Sequence, residues 1–255
     1  MPITLRDCAK MIDHSLLHPT MTDEIMKREC HVAREYNCAS VCIKPYAIDL
    51  AREILEGSDV LIGTVIGFPH GNSVISIKEK EAVAACEAGA VEIDMVVNIG
   101  KVLGNDWDYL WNEIGTVNQA VISHNGILKV IFETDFLQDD QVIKLCEICS
   151  QHNVAFVKTS TGYGFVKNDS GMYSYKGATE HNLKLMRQHS KPSVQVKAAG
   201  GVRTLEDLLK VRSLGVTRIG ATATAAMLDR AAEVLKKGGS LEDLAYSEKQ
   251  IGGTY

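Results

Sequence analysis

Short apolar runs rich in β-branched residues alternate along the chain with segments whose apolar residues recur every three or four positions. The short runs predict β-strands, and the periodic segments predict amphipathic helices. Strands that alternate with helices imply a parallel sheet, and eight strands favour a closed (β/α)8 barrel over an open doubly wound sheet. The predicted strands cover residues 11–17, 39–43, 61–67, 91–97, 128–132, 154–159, 194–199 and 217–221.

The helix signals agree with this alternation. Thr22 and Thr204 each precede acidic residues at the predicted start of a helix, where a hydroxyl caps free amide groups. Residues 76–89 end on a glycine, a common C-cap residue. No Gly-x-Gly-x-x-Gly follows a strand, so the pattern does not favour a nucleotide-binding sheet. We therefore predict an α/β fold, a single (β/α)8 TIM barrel domain over residues 1–255, with a short extra N-terminal helix.

Composition narrows the partner and the location. The formal net charge is −5, whereas nucleic acids and anionic membranes select a basic face. No apolar run of about 20 residues predicts a membrane span, and the N-terminus lacks the order of a signal peptide. We therefore expect a cytoplasmic protein that acts on a small molecule, with neither nucleic acid nor membrane as partner.

The seven cysteines, in a chain without a secretion signal, are expected to be reduced thiols. Cys146 and Cys149 form a Cys-x-x-Cys pair, which could indicate metal or redox chemistry. They fall within an amphipathic helix predicted over residues 139–152, however, and no second pair completes a zinc site. We predict no metal site.

Lys158 and Lys197 each stand near the end of an apolar strand, before a glycine-containing loop. Most lysines at strand ends reach into water, and either one alone would be interpreted that way. In a barrel these strands are neighbours about 4.8 Å apart, and catalytic groups gather at their C-terminal ends. Two ammonium groups ~6 Å apart repel by roughly 3 kcal/mol at an effective dielectric constant of about 20, which is about two pKa units shared between them. One amine is then neutral and nucleophilic near neutral pH.

The predicted fourth strand carries carboxylates on one face. Alternation puts Glu92 and Asp94 on the same side, with Ile93 and Met95 opposite. If the polar face points inward, Asp94 reaches the mouth beside the two lysines. Glu92 then lies a layer deeper, where Lys129 of the fifth strand can neutralise it in a structural ion pair. For Asp94, an internal ion pair without a catalytic role is an equal interpretation of the pattern.

Two glycine turns stand where barrels often bind phosphate, after the seventh and eighth strands. Gly200 and Gly201 precede one predicted helix, and Gly220 and Thr222 precede the next. Glycine amides and helix N-termini bind anions, although many strand-to-helix turns need glycine for backbone geometry alone. The two turns together indicate a phosphorylated substrate.

Motifs through most of the predicted barrel resemble the DeoC family of deoxyribose-phosphate aldolases, which are class I, Schiff-base aldolases. Several of these motifs are specific to that family rather than to barrels in general. They are Ile-Asp-His-Ser-Leu-Leu at 12–17, Ala-Ser-Val-Cys-Ile at 39–43, Val-Ile-Gly-Phe-Pro-His-Gly at 65–71, Glu-Ile-Asp-Met-Val at 92–96, Lys-Val-Ile-Phe-Glu-Thr at 129–134, Lys-Thr-Ser-Thr-Gly at 158–162 and Gly-Gly-Val-Arg-Thr at 200–204.

The resemblance implies reversible cleavage of 2-deoxy-D-ribose 5-phosphate to acetaldehyde and D-glyceraldehyde 3-phosphate. It implies that Lys158 forms the Schiff base. Asp94 and Lys197 would assist proton transfer with an ordered water, and Asp13 would help to position Lys197. No metal or organic cofactor is implied, the partners are a sugar phosphate and aldehydes, and a homodimer or homotetramer stays open. Further residues that the resemblance places at the substrate are Cys42, Thr161 and Gly162.

Three departures from the family concern the substrate. The turn at 158–162 is followed by a long segment, 163–176, which carries three tyrosines and can close over the mouth. Two adjacent serines are usual in the family after the eighth strand, where this chain has Thr222 and Ala223. Tyr163 stands where some relatives have a basic residue. We expect weaker phosphate binding and a shifted substrate preference, with deoxyribose 5-phosphate still cleaved.

Other functions remain open at this stage. One is an aldolase with the same lysine chemistry and a different sugar, phosphorylated or not. A non-catalytic paralogue that binds a sugar phosphate is a second, although retention of both lysines and Asp94 argues against it. A cofactor-free isomerase is a third, but isomerases usually use a carboxylate or histidine base. Tyr255, at the C-terminus, is either a frayed end or, as in some family members, part of a tail that reaches the site and helps to move a proton.

Overall fold

The protein was analysed as a computed structural model that describes residues 2–167 and 169–246. Within these ranges eight parallel strands close into a barrel, and each of them overlaps one predicted run, which confirms the (β/α)8 fold. The barrel strands are numbered together with two short strands that lie outside the barrel. In chain order the strands are β1 (Ile12–Leu16), β2 (Ser40–Ile43), β3 (Leu61–Ile66), β4 (Glu92–Val96), β5 (Ile127–Ile131), β6 (Phe156–Lys158), β7 (Val166–Lys167), β8 (Tyr173–Ser174), β9 (Gln195–Ala199) and β10 (Arg218–Ala221). The two strands outside the barrel are β7 and β8. Around the barrel the order is β1, β10, β9, β6, β5, β4, β3 and β2.

The helices follow the strands as the periodicity predicts. They are α1 (Leu5–Ala9), α2 (Asp23–Glu35), α3 (Ile48–Leu55), α4 (Ile75–Ala88), α5 (Ile99–Leu103), α6 (Trp107–Ile122), α7 (Asp139–Gln151), α8 (Glu180–His189), α9 (Leu205–Ser213) and α10 (Thr224–Lys236). Short 3₁₀ turns cover Pro45–Ala47, Thr134–Phe136 and Glu242–Tyr246.

Capping explains several of these boundaries. The Thr22 hydroxyl accepts a hydrogen bond from the Ile25 amide at the start of α2, and Gly89 ends α4 with a φ of +114° that suits glycine. The short N-terminal helix α1 is also confirmed, and Thr4 begins it with a capping box.

The segment after β6 contains structure that the sequence pattern did not predict. Strands β7 and β8 pair antiparallel as a small hairpin, separate from the barrel. Each strand has two residues, which is too short for a hydrophobic period to be detected. The predicted long segment 163–176 therefore contains a hairpin, and it follows closely on the strand that carries Lys158. We call residues 163–176 the arm.

The apolar core lies between the barrel and the helix layer. On β4, Ile93 and Met95 are fully buried and belong to this core, whereas Glu92 and Asp94 form ion pairs inside the barrel. Burial of each large apolar side chain contributes about 1.5–3 kcal/mol, which holds the strand in this register. The inner face of the barrel can therefore carry charge without being the source of stability.

All seven cysteines are unpaired thiols. Cys146 and Cys149 are buried in α7, which confirms the predicted helix at this position. None of the helices in the described ranges has both the length and the apolar character needed to cross a membrane.

Candidate active site

The inner face of β4 organises the site. Glu92 and Asp94 form ion pairs with lysines of other barrel strands, whereas Ile93 and Met95 belong to the apolar core, so the predicted alternation of this strand is confirmed. Lys129 of β5 stands in register with Asp94, and its Nζ lies 2.6 Å from Glu92 Oε2. The same Nζ lies 3.4 Å from Asp94 Oδ1. The predicted Lys129–Glu92 ion pair is therefore present, but it is joined to the carboxylate above it.

Two lysines meet at a single oxygen atom. Lys158 on β6 and Lys197 on β9 are partners in the strand register. Each Nζ lies 2.7 Å from Asp94 Oδ2, so the two nitrogens cannot be further apart than twice that distance. The expected meeting of the two ammonium groups inside the mouth is observed, with a carboxylate oxygen between them.

Asp13 on β1 connects the two layers of charge. Its Oδ2 lies 2.5 Å from Lys197 Nζ and 2.7 Å from Lys129 Nζ. Its Oδ1 accepts a hydrogen bond of 2.7 Å from the Ser40 hydroxyl. The carboxylate is therefore held in place from β2, β5 and β9 at once, and it contacts the same lysine that lies 2.7 Å from Asp94 Oδ2.

Sequence reasoning missed Arg218, the first residue of β10. Its two Nη atoms donate hydrogen bonds of 3.0 Å to both oxygens of Glu92, and Nη1 also donates to Asp13 Oδ1. The signal available in the sequence was alternation, which puts Arg218 on the same face of its strand as Gly220. The structure adds that Arg218 stands in register with Lys197. Its position at the start of a short run made it resemble a boundary residue.

The inner cluster of Asp13, Glu92, Asp94, Lys129, Lys158, Lys197 and Arg218 holds more cations than anions. Four basic side chains face three carboxylates. Lys129 reaches all three carboxylates, and Lys197 reaches two. Lys158 reaches Asp94 alone and shares that oxygen with Lys197. Since an arginine keeps its proton, Lys158 is the cation that the geometry compensates least.

The pKa directions follow from this ranking. Burial lowers the pKa of the Lys158 ammonium; the Asp94 carboxylate opposes the shift, and the charge of Lys197 adds to it. Burial also disfavours the charged form of Lys197, but Asp13 and Asp94 outweigh burial and raise the pKa of that ammonium. For Asp94, burial is outweighed by the surrounding lysines, which hold its pKa well below the ordinary range. Burial, more than lysine repulsion, is therefore the main reason why Lys158 favours the neutral amine.

Cys42 lies on β2, two residues beyond Ser40 and within electrostatic reach of Asp94 and both mouth lysines. Burial, followed by the charge of Asp94, raises the pKa of its thiol to about 11. The thiol is therefore protonated at neutral pH. Cys42 therefore acts as a small, buried side chain that lines the site.

The arm after β6 crosses the mouth toward β3. The rings of Tyr163 and Phe68 meet edge to face, with centroids 5.7 Å apart and planes at 89°. Phe68 also lines a cavity of about 150 Å³ at the C-terminal ends of β1, β2 and β3, together with Leu17 and Lys44. The arm and the loop after β3 therefore meet at the C-terminal ends of the strands.

A buried carboxylate fixes the start of this arm. Glu133, which follows β5 with a φ of +58°, accepts hydrogen bonds of 3.2 Å from the Thr161 amide. The Thr161 hydroxyl also donates to Glu133, and its oxygen accepts from the Tyr163 amide at 2.9 Å. Burial raises the pKa of Glu133 to about 7. The hydroxyl of Thr161 thus forms hydrogen bonds to Glu133 and to the Tyr163 amide. The adjacent Gly162 has a φ of +96°.

The glycines after β9 also have a structural role. Gly200 and Gly201 have φ angles of +83° and +87°. A Cβ atom at Gly200 would lie 2.1 Å from the hydroxyl oxygen of Tyr175, which is 1% exposed. The arm therefore packs against the turn that was expected to bind phosphate, and Gly200 is required for that contact.

The two helix N-termini near this turn differ. At α9, Asp207 Oδ2 accepts hydrogen bonds of 3.0 Å from the amides of Arg203 and Thr204. At α10, Ala223 makes no side-chain capping hydrogen bond, and Thr222 beside it is exposed. The start of α10 is therefore the better place for an anion. Gly220 lies within β10 rather than after it, which corrects its predicted position.

Two further sequence expectations concern the C-terminal tyrosine and metal binding. Tyr255 lies outside the described residues. Within residues 2–167 and 169–246, no group of three or more histidine, cysteine, aspartate or glutamate side chains is arranged to hold a metal ion.

Comparisons with known proteins agree on one family. The DeoC/LacD family of aldolases matches residues 8–232. The deoxyribose-phosphate aldolase of Rhodopirellula baltica is 49% identical over 229 residues, which cover 90% of this chain and 91% of that protein. That of Caldanaerobacter subterraneus subsp. tengcongensis is 47% identical over 221 residues, 86% of this chain and 91% of that protein. A solved structure described as the tetrameric deoxyribose phosphate aldolase of Aeropyrum pernix superposes with a TM-score of 0.79 at 26% identity, covering 91% of this chain and 92% of that one.

Proposed function

Because this chain belongs to the DeoC/LacD family of aldolases, we propose that it is a class I deoxyribose-phosphate aldolase. It reversibly cleaves 2-deoxy-D-ribose 5-phosphate to acetaldehyde and D-glyceraldehyde 3-phosphate. The observation that carries the proposal is the pair of lysine nitrogens that share Asp94 Oδ2, with Lys158 the less compensated of the two. The names of the curated relatives support this substrate and lend no support to a different sugar.

Lys158 is the nucleophile. Its neutral amine attacks the aldehyde carbon of the open-chain sugar and forms a carbinolamine. Loss of the hydroxyl as water needs a proton, which Lys197 supplies from the other side of Asp94 Oδ2. The product is an iminium, a positively charged group that takes the place of an ammonium in the same carboxylate environment.

The iminium then accepts the electrons of the breaking bond. Lys197, neutral after supplying the first proton, accepts the proton of the C3 hydroxyl and later donates it to C2 of the enamine. The C2–C3 bond breaks, glyceraldehyde 3-phosphate leaves, and the electron pair becomes the double bond of an enamine on Lys158. Asp94 holds the two nitrogens together through Oδ2, while its buried Oδ1 lies 3.4 Å from Lys129 Nζ in the layer below. Protonation of the enamine at C2 and hydrolysis of the resulting iminium release acetaldehyde.

The phosphate lies at the N-terminal end of α10, beside the Gly200–Gly201 turn. The amide groups in the first turn of α10 have no side-chain cap, and the helix dipole favours an anion there. Thr222 contributes an exposed hydroxyl at the same end. The arm that carries Tyr163 and Tyr175 lies between this end and the β3 loop, so it surrounds the sugar.

Location and assembly are part of the same proposal. A cytoplasmic location is supported by the seven unpaired cysteines, since thiols persist in reducing compartments. A homo-oligomer is supported by the described tetramer of the relative from Aeropyrum pernix. A homodimer and a homotetramer are both compatible with this argument.

The deciding experiment combines an assay and a trap. The purified protein is incubated with deoxyribose 5-phosphate, and acetaldehyde release is measured against unphosphorylated deoxyribose. Borohydride is then added with acetaldehyde, and peptides are analysed by mass spectrometry. We expect cleavage of the phosphorylated sugar and a reduced ethyl adduct on Lys158. An adduct only on Lys197, or cleavage without any adduct, would refute the Schiff-base assignment; equal rates for both sugars would refute the phosphate site.

A further inference from the structure

The inner cluster of the barrel has one more basic side chain than carboxylates, and Arg218 is a basic residue that lies outside the reacting centre. We propose that Arg218 is a positioning residue that adds to the effect of burial in keeping Lys158 uncharged, because it places in the barrel interior a positive charge that is not released as a proton. This inference rests on the proposed function, in which Lys158 is the nucleophile. Arg218 acts through Lys158 and is not itself a catalytic residue.

The contacts of Arg218 fix it in the floor of the site. Its guanidinium binds both oxygens of Glu92 at 3.0 Å and one oxygen of Asp13, and its side chain is 13% exposed. Such a bidentate contact is specific to the planar guanidinium group. Glu92 and Asp13 are also the partners of Lys129, so Arg218 takes up carboxylate charge that would otherwise serve the lysines.

Arg218 has no route to the substrate. The ring of Phe156 stands two residues before Lys158 on the same strand, with its centroid 5.4 Å from the Arg218 guanidinium and 5.7 Å from Lys129 Nζ. Both cations therefore lie against the ring below the mouth. Lys158, Lys197 and Arg218 nevertheless occupy one register across β6, β9 and β10, so the charge of Arg218 acts across two strand spacings.

The charge balance acts on Lys158 in addition to burial. With Arg218 present, three carboxylates face four basic groups, and neutrality of the cluster is reached when one lysine loses its proton. Lys158 is that lysine because it has the fewest carboxylate contacts. Without Arg218, three lysines would face three carboxylates, and Lys158 would keep its proton at the expense of nucleophilicity.

No other described group can replace this charge. The charged and titratable groups that face Lys158 or Arg218 are Asp13 from β1, Cys42 from β2, Glu92 and Asp94 from β4, Lys129 from β5, Glu133 from the loop after β5, Lys197 from β9 and Lys10 from the turn before β1. Lys10 is directed outward, where its Nζ donates to the Asn37 side chain and the Cys38 carbonyl. Glu133 is bound to Thr161.

The test compares four variants: Arg218→Met, Glu92→Gln, the double variant, and Arg218→Lys. The readouts are the acid limb of the kcat/KM profile and the pH dependence of the borohydride adduct on Lys158, since both report the neutral amine of the free enzyme. Arg218→Met should move the acid limb upward by about one pH unit, as expected for a unit charge ~10 Å away. Glu92→Gln should move it downward by about the same amount, because a carboxylate is lost.

The double variant replaces a buried ion pair by neutral side chains and restores a surplus of one cation, so its acid limb should return close to that of the wild type. Arg218→Lys supplies a cation that can lose its proton in place of Lys158, so its acid limb should lie between those of the wild type and Arg218→Met. Arg230→Met, which removes an exposed arginine of α10, is the matched control and should leave the limb in place. Circular dichroism verifies that each variant is folded.

Shifts of the same sign in the two single variants, or unchanged limbs in both, would overturn the proposal. If Arg218→Met does not fold, the downward shift in Glu92→Gln and its cancellation in the double variant still decide it. Absence of the adduct in the wild-type enzyme would instead refute the proposed function. A wild-type adduct with no shift in any variant would refute the role of Arg218 alone.

Discussion

The protein buries lysine–carboxylate contacts in two regions, the barrel interior and the layer between helices α4 and α6. Between the helices, Lys78 Nζ lies 2.7 Å from Glu113 Oε1, and both side chains are fully buried. Lys78 also donates to the Val96 carbonyl at 2.7 Å, and Glu113 accepts from the Asn98 amide at 2.9 Å. One cation thus meets one carboxylate at the end of β4.

The two regions differ in charge balance and in access. Burial lowers the pKa of Lys78 and raises that of Glu113, so it weakens both charges of a matched pair. Inside the barrel the mismatch concerns cations alone, and it falls on Lys158, which lies at the C-terminal end of a barrel strand. Burial by itself therefore does not make a lysine reactive. Reactivity requires a surplus of positive charge together with a path for the substrate.

The largest expected effect is in the barrel. Lys158→Met should lower kcat/KM by at least about 10⁴-fold and abolish the borohydride adduct, because it removes the nucleophile. Its midpoint of thermal unfolding should equal or exceed that of the wild type, since a buried amine with a single carboxylate contact is replaced by an apolar side chain. Lys184→Met, on the surface of α8, is the control and should change neither quantity. A clear loss of stability in Lys158→Met would mean that this lysine is structural, as Lys78 is.

Lys197→Met tests the cation that shares Asp94 with Lys158. Turnover should fall by about 10²–10⁴-fold because a proton donor is lost. Removal of this ammonium also removes a cause that lowers the pKa of Lys158. Since the neutral amine reacts, a higher pKa moves the acid limb of kcat/KM to higher pH. An unchanged pH profile would contradict the coupling between the two lysines.

Lys78→Met tests the ion pair between α4 and α6, where we expect a loss of stability without a loss of chemistry. It leaves Glu113 buried without its cation, and the free energy of unfolding should fall by about 3–5 kcal/mol in urea titrations. The folded fraction should still form the adduct on Lys158. The double change Lys78→Met with Glu113→Leu should recover most of the stability. Loss of the adduct at full folding would show that the helix pair takes part in the chemistry.

Tyr163→Ala tests whether the interior chemistry depends on closure of the mouth. The edge-to-face contact with Phe68 contributes about 0.5–1.5 kcal/mol, so KM should rise about two- to tenfold. The acid limb should stay in place because no charge changes. Tyr173→Ala, an exposed residue of the hairpin, is the matched control and should leave KM unchanged. Equal KM values in the wild type and both variants would limit the arm to a structural role.

The smallest expected effect is a gain at the phosphate end. Ala223→Ser adds a hydroxyl before α10, and one neutral hydrogen bond contributes about 1 kcal/mol. KM for deoxyribose 5-phosphate should therefore fall by up to about fivefold, while KM for deoxyribose stays constant. If KM changed by the same factor for both sugars, the phosphate could not bind at this end of α10.

Much of the site could be predicted because alternation along a strand and the order of strands are local properties. Lys158 and Lys197 occupy inner positions near strand ends, as the pattern predicted, and Asp94 lies beside them, as expected if the polar face of its strand points inward. Arg218 escaped because its significance depends on the partners of a neighbouring strand. The Lys78–Glu113 pair escaped because the two residues come from helices far apart in the chain, and each fits an ordinary solvent-facing position.

The sequence by itself determined the barrel and the two mouth lysines on neighbouring barrel strands, since hydrophobic period and strand–helix alternation depend on neighbours along the chain. It also determined that β4 would bring carboxylates to one face. Only the tertiary structure decided which lysine is least compensated, because that depends on how Asp13, Glu92, Asp94 and Arg218 converge from separate strands. Electrostatic energies depend on distances through space and on burial, and neither is written in the spacing of residues along the chain.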